Sequence, residues 1–469
     1  MTNLEPQHAT TKLTPTVPKE APVLGKLLLA ATVRFRRSNS LRLLKEIEPV
    51  PFLTREQLEV LQLQRLKSLL ASAVKNVPFY RRMFKNLGLR SEDVSSLKDF
   101  SQLPIVTKAD IRSHETDFVS ETVDVTRLFK GSSGGSTGAP LNFYYDQTLL
   151  DASDAATFRN LRQCGWQPGE MIGMLIGFDK KTRQVAPWQF EIRQFARRLY
   201  QFDSFNCGKE EMDWWIRKFT QLKVRAVIGF PSTVTRFSNH LLERKSSVPQ
   251  LRGVFTTGEK LYDQQREVIA SAFNSNIYDC YGSSEVRNIA TECSRGSMHI
   301  NSDYVVVETD SASVKPGEPE PLILTSLWNS VMPFIRYRNE DYGGLLQTNC
   351  DCGSNFPIMR LDVGRVSDNF TLPGGRVIHG QFFTHMMYRS EGIANFQFHQ
   401  TAPDAITLWI VPGFGSAEAR EKVIKAAVEQ IKGLSSVPIK VEVHEVQAIP
   451  LSAAGKHRYT RSDVSENAL

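Results

Sequence analysis

The sequence has no long apolar run, no dense basic tract and few cysteines, and each shortage excludes a class of protein. The most membrane-like stretch, VLGKLLLAATV at 23–33, contains Lys26 and is about half as long as a bilayer requires. Lysine and arginine never occur five in a row, and RFRR at 34–37 is the densest basic cluster. The net charge of +7 over 469 residues is a mild bias, so we expect no nucleic-acid partner.

The six cysteines do not indicate a disulfide framework. The apolar stretch at 23–33 lacks a basic start and a cleavage site, so we expect a cytoplasmic protein with reduced thiols. Residues 1–22 are polar and rich in proline and threonine, which predicts a disordered tail. The segment 23–45 reads as one amphipathic helix, for which we expect at most peripheral membrane contact.

Clear helix signals follow. TREQLEVLQLQRLKSLLASAV at 54–74 opens with the capping box Thr54 and Gln57 and then carries one apolar face. Pro78 restricts the residue before it and predicts the end of this helix. Thr107 is the expected cap of a later helix.

Between residues 141 and 345, short apolar runs alternate with helical patterns such as 233–245 and 261–273. This alternation predicts an α/β fold with buried sheets. Ligands of such sheets bind at the strand ends, so we expect a site where the apolar runs stop. Three runs stop in small or polar residues: GFPS at 229–232, TTGE at 256–259 and YGSSE at 281–285.

The pattern changes near the C-terminus. Three short strand-like runs surround a helical stretch at 417–433 whose apolar residues share one face. We therefore expect a small α+β unit, with a domain boundary near 365–370. Its predicted strands are NFQFHQ at 395–400, ITLWIVPG at 406–413 and IKVEVHEV at 439–446.

FKGSSGGSTGAP at 129–140 contains four glycines and four Ser/Thr hydroxyls. Such a loop suits phosphate binding, because backbone N–H groups can approach an anion closely. It is not a Walker A loop, since Ala139 and Pro140 follow Gly138. A flexible Gly/Ser linker has the same composition, so this run alone does not decide between the two.

Five motifs follow one another along the chain: the loop at 129–140, YGSSE at 281–285, SLWNSVMPFIRYRNEDYG at 326–343, VGRVSD at 363–368 and AAGKHR at 453–458. In this order they resemble the adenylate-forming superfamily of acyl-CoA synthetases and adenylation domains. NVPFYR, LPIVTK and the Cys/His pattern look like the phenylacetate–CoA ligase family within it, including its capsule-biosynthesis relatives. The resemblance runs from about residue 50 to 460.

The resemblance implies a large N-terminal adenylation domain of packed β-sheets and helices at 23–365, and a small mobile C-terminal α+β domain at 366–469. It also implies ATP-dependent activation of a carboxylic acid to acyl-AMP, followed by transfer to CoA. The alternative is transfer to a carrier-protein thiol, or to an amine in surface-polysaccharide biosynthesis. An aromatic acid would have Trp188, Phe230, Phe255 and Tyr278 as candidate contacts, although such residues also simply pack cores.

The same resemblance implies the nucleotide contacts. Tyr281 would stack on adenine, Asp341 would accept hydrogen bonds from the ribose hydroxyls, and Arg365 would contact the ribose at a hinge. The loop would cradle the phosphates with its hydroxyls and amides. The full nucleotide-binding set is Ser132, Ser133, Gly134, Gly135, Ser136, Thr137, Gly138, Thr257, Gly258, Glu259, Tyr281, Gly282, Asp341 and Arg365.

Three residues carry the implied chemistry. Glu285 would hold Mg²⁺ against the phosphates, and Ser284 would donate to the α-phosphate. Lys456 would bridge the substrate carboxylate and the α-phosphate, where negative charge accumulates in the transition state. Taken alone, Glu285 and Lys456 would each read as a solvated surface charge.

Cys293 and His299 precede Cys350 and Cys352 by about fifty residues, a Cys₃His set that suits a structural Zn²⁺. The alternative is four unrelated residues, because Cys-x-Cys is tighter than the usual spacing. Similar residues near these motifs in the phenylacetate–CoA ligase family favour zinc.

Overall fold

The computed structural model describes residues 22–132, 141–177, 185–204, 208–314, 320–363, 370–378, 380–387, 392–413, 416–450 and 457–464. Its α-helices are α1 Val23–Phe35, α2 Ser40–Ile47, α3 Arg55–Asn76, α4 Pro78–Leu87, α5 Leu97–Phe100, α6 Lys108–Ser113, α7 Gln147–Arg162, α8 Pro187–Arg197, α9 Lys209–Leu222, α10 Pro231–Glu243, α11 Asp263–Phe273, α12 Gly380–Met387 and α13 Ala417–Lys432.

Its strands are β1 Phe129–Ser132, β2 Asn142–Tyr145, β3 Met171–Leu175, β4 Leu199–Gln201, β5 Val224–Gly229, β6 Gly253–Thr257, β7 Ile277–Ser283, β8 Arg287–Glu292, β9 Met298–Ile300, β10 Val305–Thr309, β11 Glu320–Ser326, β12 Tyr337–Leu346, β13 Ile358–Val363, β14 Phe370–Thr371, β15 Val377–Ile378, β16 Ile393–Ala402, β17 Ala405–Pro412, β18 Lys440–Glu445 and β19 Thr460–Ser462.

The helix starts follow the predicted caps. Thr54 accepts a hydrogen bond from the Gln57 N–H at 3.3 Å, and the Gln57 side chain accepts from the Thr54 N–H at 2.9 Å. Pro78 begins α4 directly after α3 ends, and Thr107 caps α6. These local predictions are confirmed.

The prediction of one helix over 23–45 is wrong. Helix α1 ends at Phe35 and α2 begins at Ser40. Between them Arg37 has φ of 53°, a left-handed conformation that interrupts an α-helix. None of the helices among the described residues is long and apolar enough to cross a membrane.

An 11-stranded mixed sheet forms the large core. Its order is β10-β11-β12-β13-β9-β8-β7-β6-β5-β3-β4. The run from β7 through β6, β5 and β3 to β4 is parallel, whereas the other neighbouring pairs are antiparallel. Strand β7 therefore lies where the sheet changes from parallel to antiparallel, and YGSSE is at its end. The predicted α/β class is confirmed.

Separate clusters of apolar side chains surround the sheets. Aromatic residues of α9 and α10 cover the parallel strands, with Trp215 5.3 Å from Phe237 between ring centroids. A second sheet of order β18-β17-β16-β19 lies after residue 392 and has its own core, in which Phe398 and Leu408 pack under Ile431 of α13. The C-terminal α+β unit is thus distinct in sheet and core, while the proposed boundary near 365–370 falls largely outside the described residues.

Candidate active site

The ends of β6 and β7 bring TTGE and YGSSE side by side. The two strands are parallel, and Thr257 is the register partner of Cys280. Thr256 Oγ1 also donates to Asp279 Oδ1 at 2.9 Å. Asp279 is half-buried, and the loss of solvation there raises its pKa to about 6. Both motifs therefore open on the same carboxyl edge, as the alternation of runs predicts.

Tyr281 and Asp341 are in direct contact, although the chain separates them by sixty residues. The Tyr281 hydroxyl donates to Asp341 Oδ2 at 2.8 Å. Asn339 Nδ2 donates to the same carboxylate oxygen and to the Tyr281 hydroxyl, each at 2.7 Å. These bonds hold the Asp341 carboxylate beside the YGSSE strand. Asn339 was not identified from the sequence, although residues two apart on a strand share a face and Asn339 is two residues before Asp341.

Glu285 is buried at the end of YGSSE, not exposed as a solvated surface charge would be. The Tyr337 hydroxyl donates to Glu285 Oε1 at 3.2 Å. The Tyr337 ring lies 5.0 Å from Phe334, which in turn lies 5.9 Å from Phe143 in β2. A continuous aromatic contact therefore links Glu285 to the hairpin that carries the glycine-rich loop.

The hairpin of β1 and β2 lies next to YGSSE. Ser132 pairs with Asn142 at the end of the hairpin where residues 133–140 connect the two strands. The Arg287 guanidinium lies 4.6 Å from the ring centroid of Tyr145, and Arg287 is the register partner of Ser283. The strands that flank the loop are thus beside the predicted magnesium and phosphate residues.

Some predicted residues lie outside the described ranges: Ser133, Gly134, Gly135, Ser136, Thr137, Gly138, Arg365 and Lys456. Among those described, Ser284 is exposed next to the buried Glu285. A Cβ on Gly282 would lie 2.5 Å from the Arg287 carbonyl, so β8 approaches too closely for a side chain there.

Glu259 joins the large sheet to the C-terminal segment. Its Oε1 accepts from the backbone N–H of His457 at 2.7 Å and from Ser232 Oγ at 3.0 Å. Its Oε2 accepts from the Ser232 N–H at 3.0 Å. Further along, Gln265 Nε2 donates to the Tyr459 hydroxyl at 3.0 Å. The residue that follows Lys456 in the chain is therefore anchored to the TGE loop.

His457 is buried in its neutral form. Its Nε2 lies 2.9 Å from the Phe396 carbonyl, which can only accept, so Nε2 carries the proton. Burial lowers the His457 pKa to about 4, because a charged ring would lose its solvation. This burial depends on the C-terminal core, so the sequence alone does not predict it.

The aromatic residues proposed to contact an aromatic acid have different surroundings. Phe255 and Tyr278 are buried and stacked, with ring centroids 4.7 Å apart. Phe230 is also buried, whereas Trp188 is 63% exposed on α8. Trp188 therefore does not belong to the same packed group.

The four Cys/His candidates converge. Their ligand atoms all lie within 4.8 Å of one another. Cys293 Sγ is 3.6 Å from Cys350 Sγ, and Cys352 Sγ is 3.3 Å from His299 Nε2. Thiolates around a tetrahedral zinc lie about 3.8 Å apart, so the spacing fits that ion. A disulfide would need about 2.05 Å between sulfurs.

The surroundings of this cluster also suit a metal. His299 Nδ1 lies 2.8 Å from the Phe356 carbonyl and must donate to it, which leaves the Nε2 lone pair toward the thiols. The Arg295 and Ser354 N–H groups each donate to a cluster sulfur, Cys293 and Cys352, at 3.4 Å. Such donation stabilises thiolates.

Comparison with solved structures identifies the fold. The structure superposes on 2-hydroxyisobutyryl-CoA ligase in its postadenylation state with a TM-score of 0.68, at 21% identity, over 88% of this chain and 91% of that one. In its thioesterification state, with CoA bound, the same ligase gives a TM-score of 0.57. The chain thus has the fold of the adenylate-forming ligases. No protein-family model matches it.

In sequence, the chain is similar to the phenylacetate–coenzyme A ligases and to CapK, in agreement with the resemblance that the motifs carry. Protein CapK of Staphylococcus aureus is 24% identical over 414 residues, covering 86% of this chain and 89% of CapK. Phenylacetate-coenzyme A ligase of Escherichia coli (strain K12) is 27% identical over 349 residues, 72% of this chain and 77% of that enzyme. The Thermus thermophilus ligase is 25% identical over 365 residues, with 75% and 79% coverage.

Proposed function

We propose that this protein is an AMP-forming acid–thiol ligase, which activates a carboxylic acid with ATP to acyl-AMP and then transfers the acyl group to CoA. The observation that carries the proposal is the convergence of TTGE, YGSSE, Asp341 and the segment after Lys456 around one sheet edge. Relatives with the same activity in their names, and a neighbour that binds acyl-AMP and CoA, support it.

Different residues of the chain would bind the nucleotide, hold the metal and stabilise the developing charge. Asp341, held by Tyr281 and Asn339, would accept from the ribose hydroxyls and fix the nucleotide. The Glu285 carboxylate would hold Mg²⁺, a hard cation that takes oxygen ligands and neutralises the triphosphate. Ser284 and the loop 132–138 would donate to the phosphates, and Lys456 would stabilise the charge that develops on the α-phosphate.

One experiment identifies both the acid substrate and the acceptor of the acyl group. Pyrophosphate release is measured over a panel of aliphatic and aromatic acids, with and without CoA, and a thioester is sought by mass spectrometry. The proposal expects acid-dependent pyrophosphate release and a CoA thioester with the same acid. Pyrophosphate release without a thioester would instead favour a carrier-protein thiol or an amine of surface-polysaccharide synthesis as acceptor. No acid-dependent release with any member would contradict the proposal.

We also propose that Cys293, His299, Cys350 and Cys352 hold one structural Zn²⁺. The donor set consists of three thiols and one imidazole whose second nitrogen is already hydrogen-bonded. A tetrahedral ion with four protein ligands has no open coordination position for catalysis, so the site would be structural. Its role would be to join the β8–β9 hairpin to the connection between β12 and β13.

A further inference from the structure

Helices α1 and α8 expose a concentration of large apolar side chains. Eighteen large apolar residues are exposed in the described part of the chain, and seven of them lie in these two helices. The two helices have only 24 residues between them, 13 and 11. The seven are Val23, Leu24, Leu27, Phe35, Trp188, Ile192 and Phe195.

The exposed stripe of α1 is fixed by what its other side contacts. Thr32 Oγ1 donates to the Ala196 carbonyl of α8 at 2.9 Å, and Leu29 on that side is buried. A Cβ on Gly25 would lie 2.2 Å from the Gly169 carbonyl, so the helix packs backbone against backbone there. Leu24 and Leu27 lie on the opposite side by helical periodicity and face outward.

The stripe of α8 adjoins that of α1. Trp188, Ile192 and Phe195 follow the i, i+4, i+7 spacing of one helix face. The Arg198 guanidinium lies 5.0 Å from the Phe195 ring, and its Nε donates at 2.8 Å to the same Gly169 carbonyl that Gly25 packs against. This contact brings Phe195 beside the start of α1.

The surface around the stripes is basic. Residues 22–45 contain six lysines and arginines and no acidic residue, and one of the six, Arg42, pairs with Glu46 just beyond this range at 3.5 Å. On α8, Glu191 is paired with Lys218 at 2.7 Å, so it does not offset the charge of Arg193, whereas Arg197 and Arg36 lie near Asp154. Leucine, phenylalanine and tryptophan on one side of a helix, with arginine and lysine along it, is the composition of helices that lie in a membrane interface.

We propose that α1 and the outer face of α8 form a docking surface for an anionic lipid bilayer, a property beyond the proposed ligase activity. The apolar side chains would enter the headgroup region, and the basic residues would contact anionic lipids. A second copy of the chain is the poorer occupant, because a twofold interface would place the same basic cluster opposite itself.

The test is flotation of the full-length protein with vesicles of phosphatidylcholine alone and with about 30 mol% phosphatidylglycerol. The expected result is at least about tenfold stronger partition to the anionic vesicles, reduced by high salt. Leu24→Ser with Leu27→Ser should lower this partition about tenfold or more. The matched control, Val60→Ser with Leu242→Ser, also removes two exposed apolar residues and should change it less than about twofold.

Acid-dependent pyrophosphate release is measured in both double variants, and an unchanged rate verifies that they are folded. Equal binding to neutral and anionic vesicles, or an equal loss in the two double variants, would overturn the proposal. The proposal would also be overturned if the parent protein failed to bind vesicles and sedimented as a dimer that the Leu24/Leu27 variant abolished. That result would make the surface a contact between copies.

Discussion

The roles of Glu259 and His457 follow from their contacts in the folded protein more than from their residue types. The resemblance implies a nucleotide-pocket role for Glu259, yet its carboxylate accepts from Ser232 and from the backbone of His457. These bonds link the edge of the large sheet to the segment that begins after Lys456. We infer that Glu259 positions this segment for the adenylation step.

Replacing Glu259 by alanine should slow adenylation about tenfold or more. The substitution leaves the His457 N–H without this acceptor, at a cost of about 1–3 kcal/mol to the arrangement that holds it. Acid-dependent pyrophosphate release and CoA thiolysis of supplied acyl-AMP are measured separately, with Ser232→Ala as the milder control. An equal loss in both half-reactions, or a change only in the KM for ATP, would contradict a positioning role.

The segment at His457 should loosen as the pH falls. The His457 pKa is about 4 in the folded protein against 6.5 normally, so protonation favours the released segment. The stabilisation is complete above about pH 6.5 and is lost as the pH falls toward 4. The amide protection factors of β19 should fall on the order of 100-fold between about pH 7.5 and 4.5.

The variant His457→Gln serves as the control for this pH dependence, since it cannot titrate. Asp279, whose burial raises its pKa to about 6, acts in the opposite sense, but it does so equally in both proteins. An equal fall in protection in the parent and the variant would exclude His457 as the titrating group.

Among the helices and strands, the sequence predicted most accurately the features whose interacting residues are close together in the chain. The capping residues Thr54 and Thr107 fix helix starts through bonds to residues three positions on, so the sequence contains both partners. The left-handed conformation of Arg37 interrupts the helix, and the apolar pattern of 23–45 does not reveal it. Tyr337 was missed as the partner of Glu285 for the same reason, since only the folded sheet brings them together.

The proposed zinc site leads to a prediction at the scale of elements. Protein purified without chelator should contain about one zinc per chain, measured by elemental analysis, and Cys352→Ser should lose it. The melting temperature of this variant should fall by a few degrees, because two connections of the large sheet are no longer joined. Cys164→Ser, at a half-buried cysteine outside the cluster, should retain the metal. Zinc-free parent protein would contradict the assignment.

For the whole molecule, two sheets with separate cores meet at the edge where the predicted nucleotide site lies. Motif order was enough to predict the fold and the relatives to which the chain is similar. The motifs do not specify the acid, because the shape of a pocket depends on side-chain packing that the motifs do not contain. They also gave no sign that Trp188 would be exposed, since its environment is set by tertiary contacts.

The most direct test of the ligase account is the effect of Lys456→Ala on the two half-reactions, with an acid that the panel identifies. Acid-dependent pyrophosphate release should fall at least about 100-fold, while CoA thiolysis of supplied acyl-AMP survives, because the ammonium stabilises charge only in the first step. Lys422→Ala, at an exposed lysine of α13, should leave both rates unchanged. Unimpaired adenylation in Lys456→Ala, or an equal loss of both half-reactions, would contradict the account.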